Sequence, residues 1–283
     1  MKIEFSFSFI KYVVFATVAL MGLVSLAHSG TLEDIKARGY MTVAIDPTFA
    51  PYEYFSENGE ITGYSPRIMQ AVADRLGVEL RYQKMSFSGI IPGLIAGSFD
   101  AEASTLNVTK ERAGKVLFTV PYGRTVNGVM VRSDKDFVGE NLYIEDIAGK
   151  TVAVKSASTP EKIIRKISDD LEKMGLEPVS LLTVDTVEQT VSSLMTGRAD
   201  FIFDDVSVLA SIKQKLGGKL SIKGELGPSQ WMAWATRKSD HALNKVMSDT
   251  ILELQASGKL QAWQKEYLGV TFDVPASDFI PKQ

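Results

Sequence analysis

The sequence predicts an α/β protein built from two similar halves, and two observations carry this prediction. Strand-like and helix-like patterns alternate along the chain, which is typical of parallel βαβ units. The segment SFSGIIPGLIAGSFD at 86–100 aligns with TVEQTVSSLMTGRAD at 186–200, and TVAI at 42–45 recurs as TVAV at 151–154. An internal duplication is the simplest explanation of these matches. Chance similarity between two ordinary helix–glycine–strand units is the alternative.

The elements of the two halves follow the same order. In each half a short apolar strand precedes a helix that a glycine ends, and a second strand, a second helix with its own glycine and a third strand follow. For the first half we predict strands at 40–45, 80–85 and 99–103 and helices at 66–76 and 88–96. For the second half we predict strands at 151–154 and 179–184, helices at 161–174 and 187–196, and a third strand that ends in FIFDD at 201–205.

The composition excludes several classes of function. The 283 residues, 45% of them apolar, can bury a large core. Cysteine is absent, which removes thiol nucleophiles, disulfides and zinc–thiolate sites. With His28 and His241 as the two histidines, neither a Ser–His–Asp triad nor a histidine-rich metal site is expected. The formal net charge is −3 and no basic run points to nucleic acid, so we predict neither a metal nor a cofactor.

The first residues match an export signal. Lys2 and Lys11 precede an apolar run at 12–24, and the small-residue stretch SLAHSG follows. The run is short for a membrane span, which needs about twenty apolar residues. The pattern therefore predicts a secretory signal peptide at 1–29, cleaved after Ala27 or Ser29. An uncleaved N-terminal anchor is the alternative.

Polar and charged residues follow the predicted strands where such sheets bind ligands. Doubly wound sheets hold ligands outside the carboxyl ends of their parallel strands. If the two halves face each other, the groups at these ends converge on a single cleft. The first strands end at Asp46 and Lys155, and the third strands end at Ser104 and Thr105 and at Asp204 and Asp205.

Several ordered motifs resemble one family over roughly residues 31–270. These are IDPTFAPYEYFSENGEITGYS, MSFSGIIPGL, FDAEASTLNVTKERAGKVLFTVPY, VAVKSASTPEK and GRADFIFDD. They resemble the bacterial extracellular solute-binding proteins of family 3, which serve polar amino-acid ABC transporters. By FSGIIP and VAVKS the motifs are nearest to those of the glutamine-binding member.

The resemblance implies a type II periplasmic-binding-protein fold, in which two α/β lobes joined by two hinge strands close around a ligand cleft. The hinge crossings are expected near 122–127 and 228–234. The expected divisions are the signal peptide at 1–29, the first segment of lobe 1 at 30–124, lobe 2 with the hinge crossings at 125–229, and the return segment of lobe 1 at 230–283.

The resemblance also implies a function in the periplasm. A monomer would capture a polar amino acid and deliver it to a membrane ABC permease complex, without catalysis. An opine or another amino-acid derivative is an alternative ligand. A periplasmic dehydratase on the same fold is an alternative activity, for which Glu102 is a candidate general acid. A sensor module that feeds a receptor is a third possibility.

The ligand carboxylate needs a cation that donates two parallel hydrogen bonds. Arginine provides this fork, and the resemblance places Arg112 in that position. It places the Thr105 N–H and the Asn107 side chain on the same carboxylate, with asparagine where the family has threonine. From lobe 2, Ser158 and Thr159 open a helix whose N–H groups would add to carboxylate binding, and plain helix capping is compatible with that role.

The ligand ammonium needs a carboxylate, and Asp205 matches the aspartate that the family uses. Asp204 competes for this role, because neighbouring strand residues point in opposite directions. Phe49 and Phe87 match aromatic residues that sandwich the ligand's side chain, whereas Tyr52 is expected mainly in the core.

Two further groups are expected to read the far end of the ligand. Asp46 supplies an acceptor and Lys155 a donor, which together suit a carboxamide, so a glutamine-like ligand is favoured. Lys155 should disfavour arginine or lysine by like-charge repulsion, unless Asp46 and Asp204 neutralise it.

Overall fold

A computed structural model of the chain describes residues 30–135, 137 and 142–282. The predicted signal peptide at 1–29 lies outside these residues. Within the described ranges, no helix has the length and apolar character that crossing a membrane requires.

The helices and strands alternate, as the sequence predicts. The first part of the chain forms α1 (Thr31–Arg38), β1 (Tyr40–Ile45), β2 (Thr48–Phe49), β3 (Glu53–Phe55), β4 (Ile61–Thr62), α2 (Tyr64–Leu76), β5 (Glu79–Lys84), α3 (Phe87–Ile95), β6 (Ala101–Glu102), β7 (Leu106–Asn107), α4 (Lys110–Ala113), β8 (Leu117–Phe118) and β9 (Gly123–Thr125). The remainder forms β10 (Asn127–Arg132), a 3-10 turn (Ile144–Ile147), β11 (Thr151–Lys155), α5 (Thr159–Lys173), β12 (Ser180–Val184), α6 (Val187–Met195), β13 (Phe201–Asp205), α7 (Val206–Leu216), a second 3-10 turn (Gly217–Lys219), β14 (Leu220–Glu225), β15 (Gln230–Ala233), β16 (Ala235–Thr236), α8 (His241–Ala256) and α9 (Lys259–Leu268).

Two sheets form the centres of two lobes. In lobe 1 the order is β5-β1-β6, and both neighbours run parallel to β1. In lobe 2 the order is β12-β11-β13-β10-β14, in which β11 runs parallel to β12 and β13 while β10 is antiparallel to β13 and β14. This mixed α/β arrangement in two lobes is the type II fold that the sequence predicts.

The internal duplication has a structural counterpart in two aspartates. The carboxylate of Asp100 accepts a hydrogen bond of 2.7 Å from the N–H of Thr42, at the start region of β1. Asp200 accepts one of 2.8 Å from the N–H of Thr151, at the start of β11. The third strand of the first half is shorter than predicted, although the N–H groups of Asp100 and Ala103 on either side of it still donate to the carbonyls of Thr42 and Ala44.

Two antiparallel strands cross between the lobes. Strand β9 pairs with β15, with Arg124 opposite Trp231. On its other side β15 pairs with β7, with Met232 opposite Asn107. Directly after the crossing, the N–H of Leu226 donates to the carbonyl of Asn127 at 2.8 Å. The hinge strand β15 thus pairs with β7, which carries the predicted site residue Asn107.

The C-terminal part of the chain returns to lobe 1. Helix α8 packs against α2 and α1, and α9 packs against both α8 and α2. The buried Trp234 follows β15 and donates from its indole nitrogen to Ser65 Oγ on α2 at 2.9 Å. Lobe 1 is therefore assembled from two separated stretches of sequence.

A glycine fixes the approach of β3 to α2. Gly63 has φ +126°, and a Cβ there would lie 2.3 Å from the carbonyl oxygen of Tyr52. A side chain would push away the segment that carries Tyr52 and Glu53, both of which reach the space between the lobes. Glycine is required here for conformation and for room.

Candidate functional site

A cavity lies between the lobes, and we call it the cleft. Both lobes and both hinge strands contribute to its wall. Every site residue predicted from the sequence lies on this wall except Asp46 and Arg112. Asp46 is paired with the lining residue Lys155, and Arg112 donates to the lining residue Thr159. The lining residues are Phe49, Glu53, Phe87, Thr105, Asn107, Thr125, Asn127, Lys155, Ser158, Thr159, Pro160, Asp204, Asp205 and Met232.

Arg112 joins the two lobes at one end of the cleft. Helix α4 begins behind the cap Thr109 and places Arg112 so that its side chain is buried. Its Nη1 donates to the Asn107 carbonyl at 3.0 Å and to Thr159 Oγ1 at 3.1 Å, and its Nη2 donates to the Ala157 carbonyl at 3.1 Å. Burial lowers the pKa of Arg112 to about 10, which leaves it protonated at neutral pH. All three acceptors are uncharged.

Ser158 and Thr159 have different parts in this arrangement. Ser158 caps α5, because its Oγ accepts from the N–H of Glu161 at 3.2 Å and donates to the Lys155 carbonyl at 2.6 Å. Thr159 instead turns its hydroxyl to Arg112. Ser158 therefore caps the helix, whereas Thr159 makes a contact between the lobes.

The N–H of Thr105 donates to a different acceptor from the one that the sequence predicts. It was expected to face a ligand carboxylate, but it donates to Glu53 Oε1 at 2.7 Å, and the Thr105 hydroxyl lies 2.7 Å from Glu53 Oε2. Burial raises the pKa of Glu53 to about 8. The sequence analysis missed Glu53, which lies in an aromatic stretch and meets its partner 52 positions further on.

Asp205 lies at the opposite wall of the cleft, at the end of β13 and the start of α7. Its Oδ1 accepts from the N–H groups of Ser207 at 2.8 Å and Val208 at 3.3 Å, so it caps α7. Tyr52 of lobe 1 donates to the same oxygen at 3.2 Å, and the Thr125 hydroxyl donates to Oδ2. The prediction of Tyr52 as a core residue omitted this bond between the lobes. Burial raises the pKa of Asp205.

Asp204 also lies on the wall of the cleft, although strand alternation predicted opposite directions for the two aspartates. The regular strand ends at Asp205, which has φ −54° and ψ 135° as the helix cap. Asp204 Oδ1 accepts from the N–H of Asp205 at 2.8 Å. Burial raises the pKa of Asp204 to about 7.

Asp46 and Lys155 are paired with each other. Asp46 Oδ2 and Lys155 Nζ lie 2.7 Å apart, and both side chains are buried. Thr48 Oγ1 donates to Asp46 Oδ1 at 2.8 Å, and the N–H of Phe87 donates to Oδ2 at 3.0 Å. The ammonium group also lies near the rings of Phe87 and Phe49, at 5.2 and 5.8 Å from their centroids. In this structure the two groups expected to read the ligand instead hold the lobes together.

Glu102 does not reach the cleft. It is fully buried in β6. Burial raises its pKa well above the ordinary range. A general acid must contact the substrate, and Glu102 is not among the residues that line the cavity.

Stability is expected to depend on pH through Glu53 and Asp204. Because burial raises their pKa values to about 8 and about 7, the folded protein keeps protons that the unfolded chain loses near pH ~4. This stabilisation is complete below pH ~4, and it is lost as the pH rises through about 7 to 8. The melting temperature of the empty protein should therefore fall between about pH 5 and about pH 8.

The matched variant is Glu53→Gln, which cannot ionise. It should show a shallower fall in melting temperature over the same pH range. Parallel curves for the variant and the wild type would show that Glu53 does not carry the proton.

Two α/β lobes, paired hinge strands and a cleft lined by both lobes define a class of protein that closes around a solute. The chain belongs to the bacterial extracellular solute-binding proteins of family 3, whose family model matches residues 41–270.

Among curated relatives, the L-cystine-binding protein TcyJ of Escherichia coli (strain K12) is 28% identical over 254 residues, which cover 90% of this chain and 92% of that protein. The crystal structure of the P235GK mutant of ArgBP from T. maritima matches with a TM-score of 0.75 and 31% identity, over 84% of this chain and 99% of that one. The ancestral amino acid-binding protein AncCDT-1, described as a precursor of cyclohexadienyl dehydratase, matches with a TM-score of 0.75 and 25% identity, over 84% of this chain and 99% of that one.

Proposed function

We propose that this protein is a periplasmic monomer that captures a polar α-amino acid in the cleft and delivers it to a membrane ABC permease. One observation carries the proposal. Asp205 lines the cleft, and Arg112 lies next to it with hydrogen bonds to the lining residues Asn107 and Thr159. The two side chains are buried with opposite charges, and neither forms an ion pair with another described residue. A free amino acid carries a carboxylate for the first group and an ammonium for the second.

The contacts across the cleft support this mode of binding. The Arg112 donors now held by Ala157 and Thr159 would turn to the ligand carboxylate, whose full charge makes the stronger hydrogen bond. The ammonium would be an ionic partner for Asp205, whose present donors are neutral hydroxyl and N–H groups. A ligand held by both lobes favours the closed state, which a permease can recognise.

The ligand class rests on relatives as well as on geometry. The relatives include binding proteins for cystine and histidine, and similar structures hold arginine. We favour a neutral polar side chain such as that of glutamine for this chain. Glu102 lies away from the cleft, and this position gives no support to a dehydratase.

Thermal-shift measurements test the proposal directly. The purified chain from residue 30 onward is screened against the twenty amino acids and several opines, and a specific ligand should raise the melting temperature. A response to opines without any to α-amino acids would move the ligand to that class. No response to any α-amino acid or derivative would overturn the proposal. Turnover of a prephenate-like acid would show that the protein is a dehydratase instead.

A further inference from the structure

Asn127 has an unused hydrogen-bond donor at the wall of the cleft. Its side chain is 1% exposed, and its Nδ2 has no hydrogen-bond partner among the described residues. Leaving a buried amide donor unpaired destabilises the folded state. Buried polar groups are nearly always paired, so an unpaired one on a cavity wall indicates a missing partner.

The main chain holds Asn127 firmly in place. It begins β10 directly opposite Asp205 on β13, and its carbonyl accepts from the N–H of Leu226 at 2.8 Å. Residues opposite each other on antiparallel strands share one face of the sheet, with Cβ atoms roughly 5 Å apart. The Asn127 side chain therefore lies beside the proposed ammonium site.

Asp204 also lines the cleft, although it lies opposite Gly128 rather than Asn127 in the strand pairing. One of its carboxyl oxygens accepts from the N–H of Asp205. Asp204 forms no ion pair with a basic side chain among the described residues. The nearby Lys155 is engaged by Asp46. The wall thus offers a donor from Asn127 and an acceptor from Asp204, while Phe49 and Phe87 supply apolar surface.

We propose that Asn127 donates to an oxygen atom of the ligand's side chain, and that Asn127 and Asp204 together select a terminal carboxamide or ureido group. The proposal rests on the proposed function, because it assumes that the cleft binds an amino acid. A carboxamide or ureido group carries an acceptor oxygen and N–H donors on one carbon. A guanidinium has donors only and leaves Asn127 unpaired, whereas a carboxylate has acceptors only and opposes Asp204.

Titration calorimetry with glutamine, citrulline, arginine and glutamate tests this selection. The wild type should bind glutamine or citrulline more tightly than arginine and glutamate. Asn127→Leu should weaken binding of the preferred ligand by about tenfold or more. The melting temperature of the empty variant should stay the same or rise, because the substitution removes an unpaired buried donor.

Two further variants separate recognition from folding. Asn127→Asp replaces the donor by an acceptor, so it should weaken glutamine binding and shift relative affinity toward arginine. Asn244→Leu is the matched control, because Asn244 Nδ2 is already paired with the Leu117 carbonyl at 3.1 Å and Thr236 Oγ1 at 3.3 Å. It should lower the melting temperature and leave the affinity unchanged.

Three results would overturn the inference. Unchanged affinity in Asn127→Leu would remove the residue from recognition. A loss of melting temperature as large as that of Asn244→Leu would assign Asn127 a structural role. A wild type that prefers arginine would exclude the carboxamide class while leaving the proposed function intact, whereas binding of no amino acid would defeat the proposed function itself.

Discussion

Replacing Arg112 with alanine is expected to weaken amino-acid binding by at least about a hundredfold. The variant loses two charge-assisted hydrogen bonds to the ligand carboxylate, each worth roughly 1.5–3 kcal/mol, and each 1.4 kcal/mol is about a factor of ten in affinity. It also loses the bonds from Arg112 to Thr159 and Ala157 that join the lobes. Titration calorimetry measures the affinity, and the melting temperature of the empty protein reports on folding.

Two controls isolate the guanidinium fork. Arg112→Lys keeps the charge but cannot donate two parallel hydrogen bonds, so its affinity should lie between those of alanine and wild type. Arg165→Ala removes an arginine from the exposed face of α5, where the side chain is 54% exposed, and should bind normally. Normal affinity in Arg112→Ala would remove Arg112 from the carboxylate role.

Lys155→Met is expected to destabilise the closed arrangement of the lobes by about 3–5 kcal/mol, because it leaves Asp46 buried without its cation. Asp46 belongs to lobe 1 and Lys155 to lobe 2, so separating the lobes lets water reach the remaining carboxylate. The variant should therefore open. Small-angle scattering should show a larger radius of gyration for the empty protein, and ligand binding should weaken.

Removing both charges provides the internal comparison. The double variant Asp46→Asn, Lys155→Met should recover most of the lost stability, since neutral groups carry a smaller desolvation penalty. Lys166→Met breaks the exposed pair with Asp170 on α5 and should change stability by less than about 0.5 kcal/mol. If Lys155→Met has wild-type dimensions and stability, the buried pair does not hold the lobes closed.

Local signals explain how well the sequence predicted the fold. The helix predicted at 66–76 occupies Tyr64–Leu76, and the one predicted at 161–174 occupies Thr159–Lys173. Apolar spacing and a following glycine are contained within one segment, so they set these ends without knowledge of the rest of the chain. The strand predicted at 99–103 is longer than the observed Ala101–Glu102, because its ends depend on pairing with β1, which lies far away in the sequence.

Parts of the candidate site depend on contacts that no local pattern contains. The role of Asn127 follows from the register of β10 against β13, which joins segments far apart in sequence. The pairing of Asp46 with Lys155 requires the two lobes to face each other. The roles of Arg112 and Asp205 are implied by the resemblance to the family, whose motifs are local in sequence, and they stay predictions.

The hydrogen bond between Leu226 and Asn127 has a consequence for how the chain can be divided. The two ends of the second lobe meet at one point, so that lobe lies within the sequence of the first rather than after it. Strands β9 and β15 already run side by side on the near side of this junction. A short turn in place of residues 127–226 would join β9 and β15 into a β-hairpin. The product would be a single lobe that carries Arg112 but lacks Asp205.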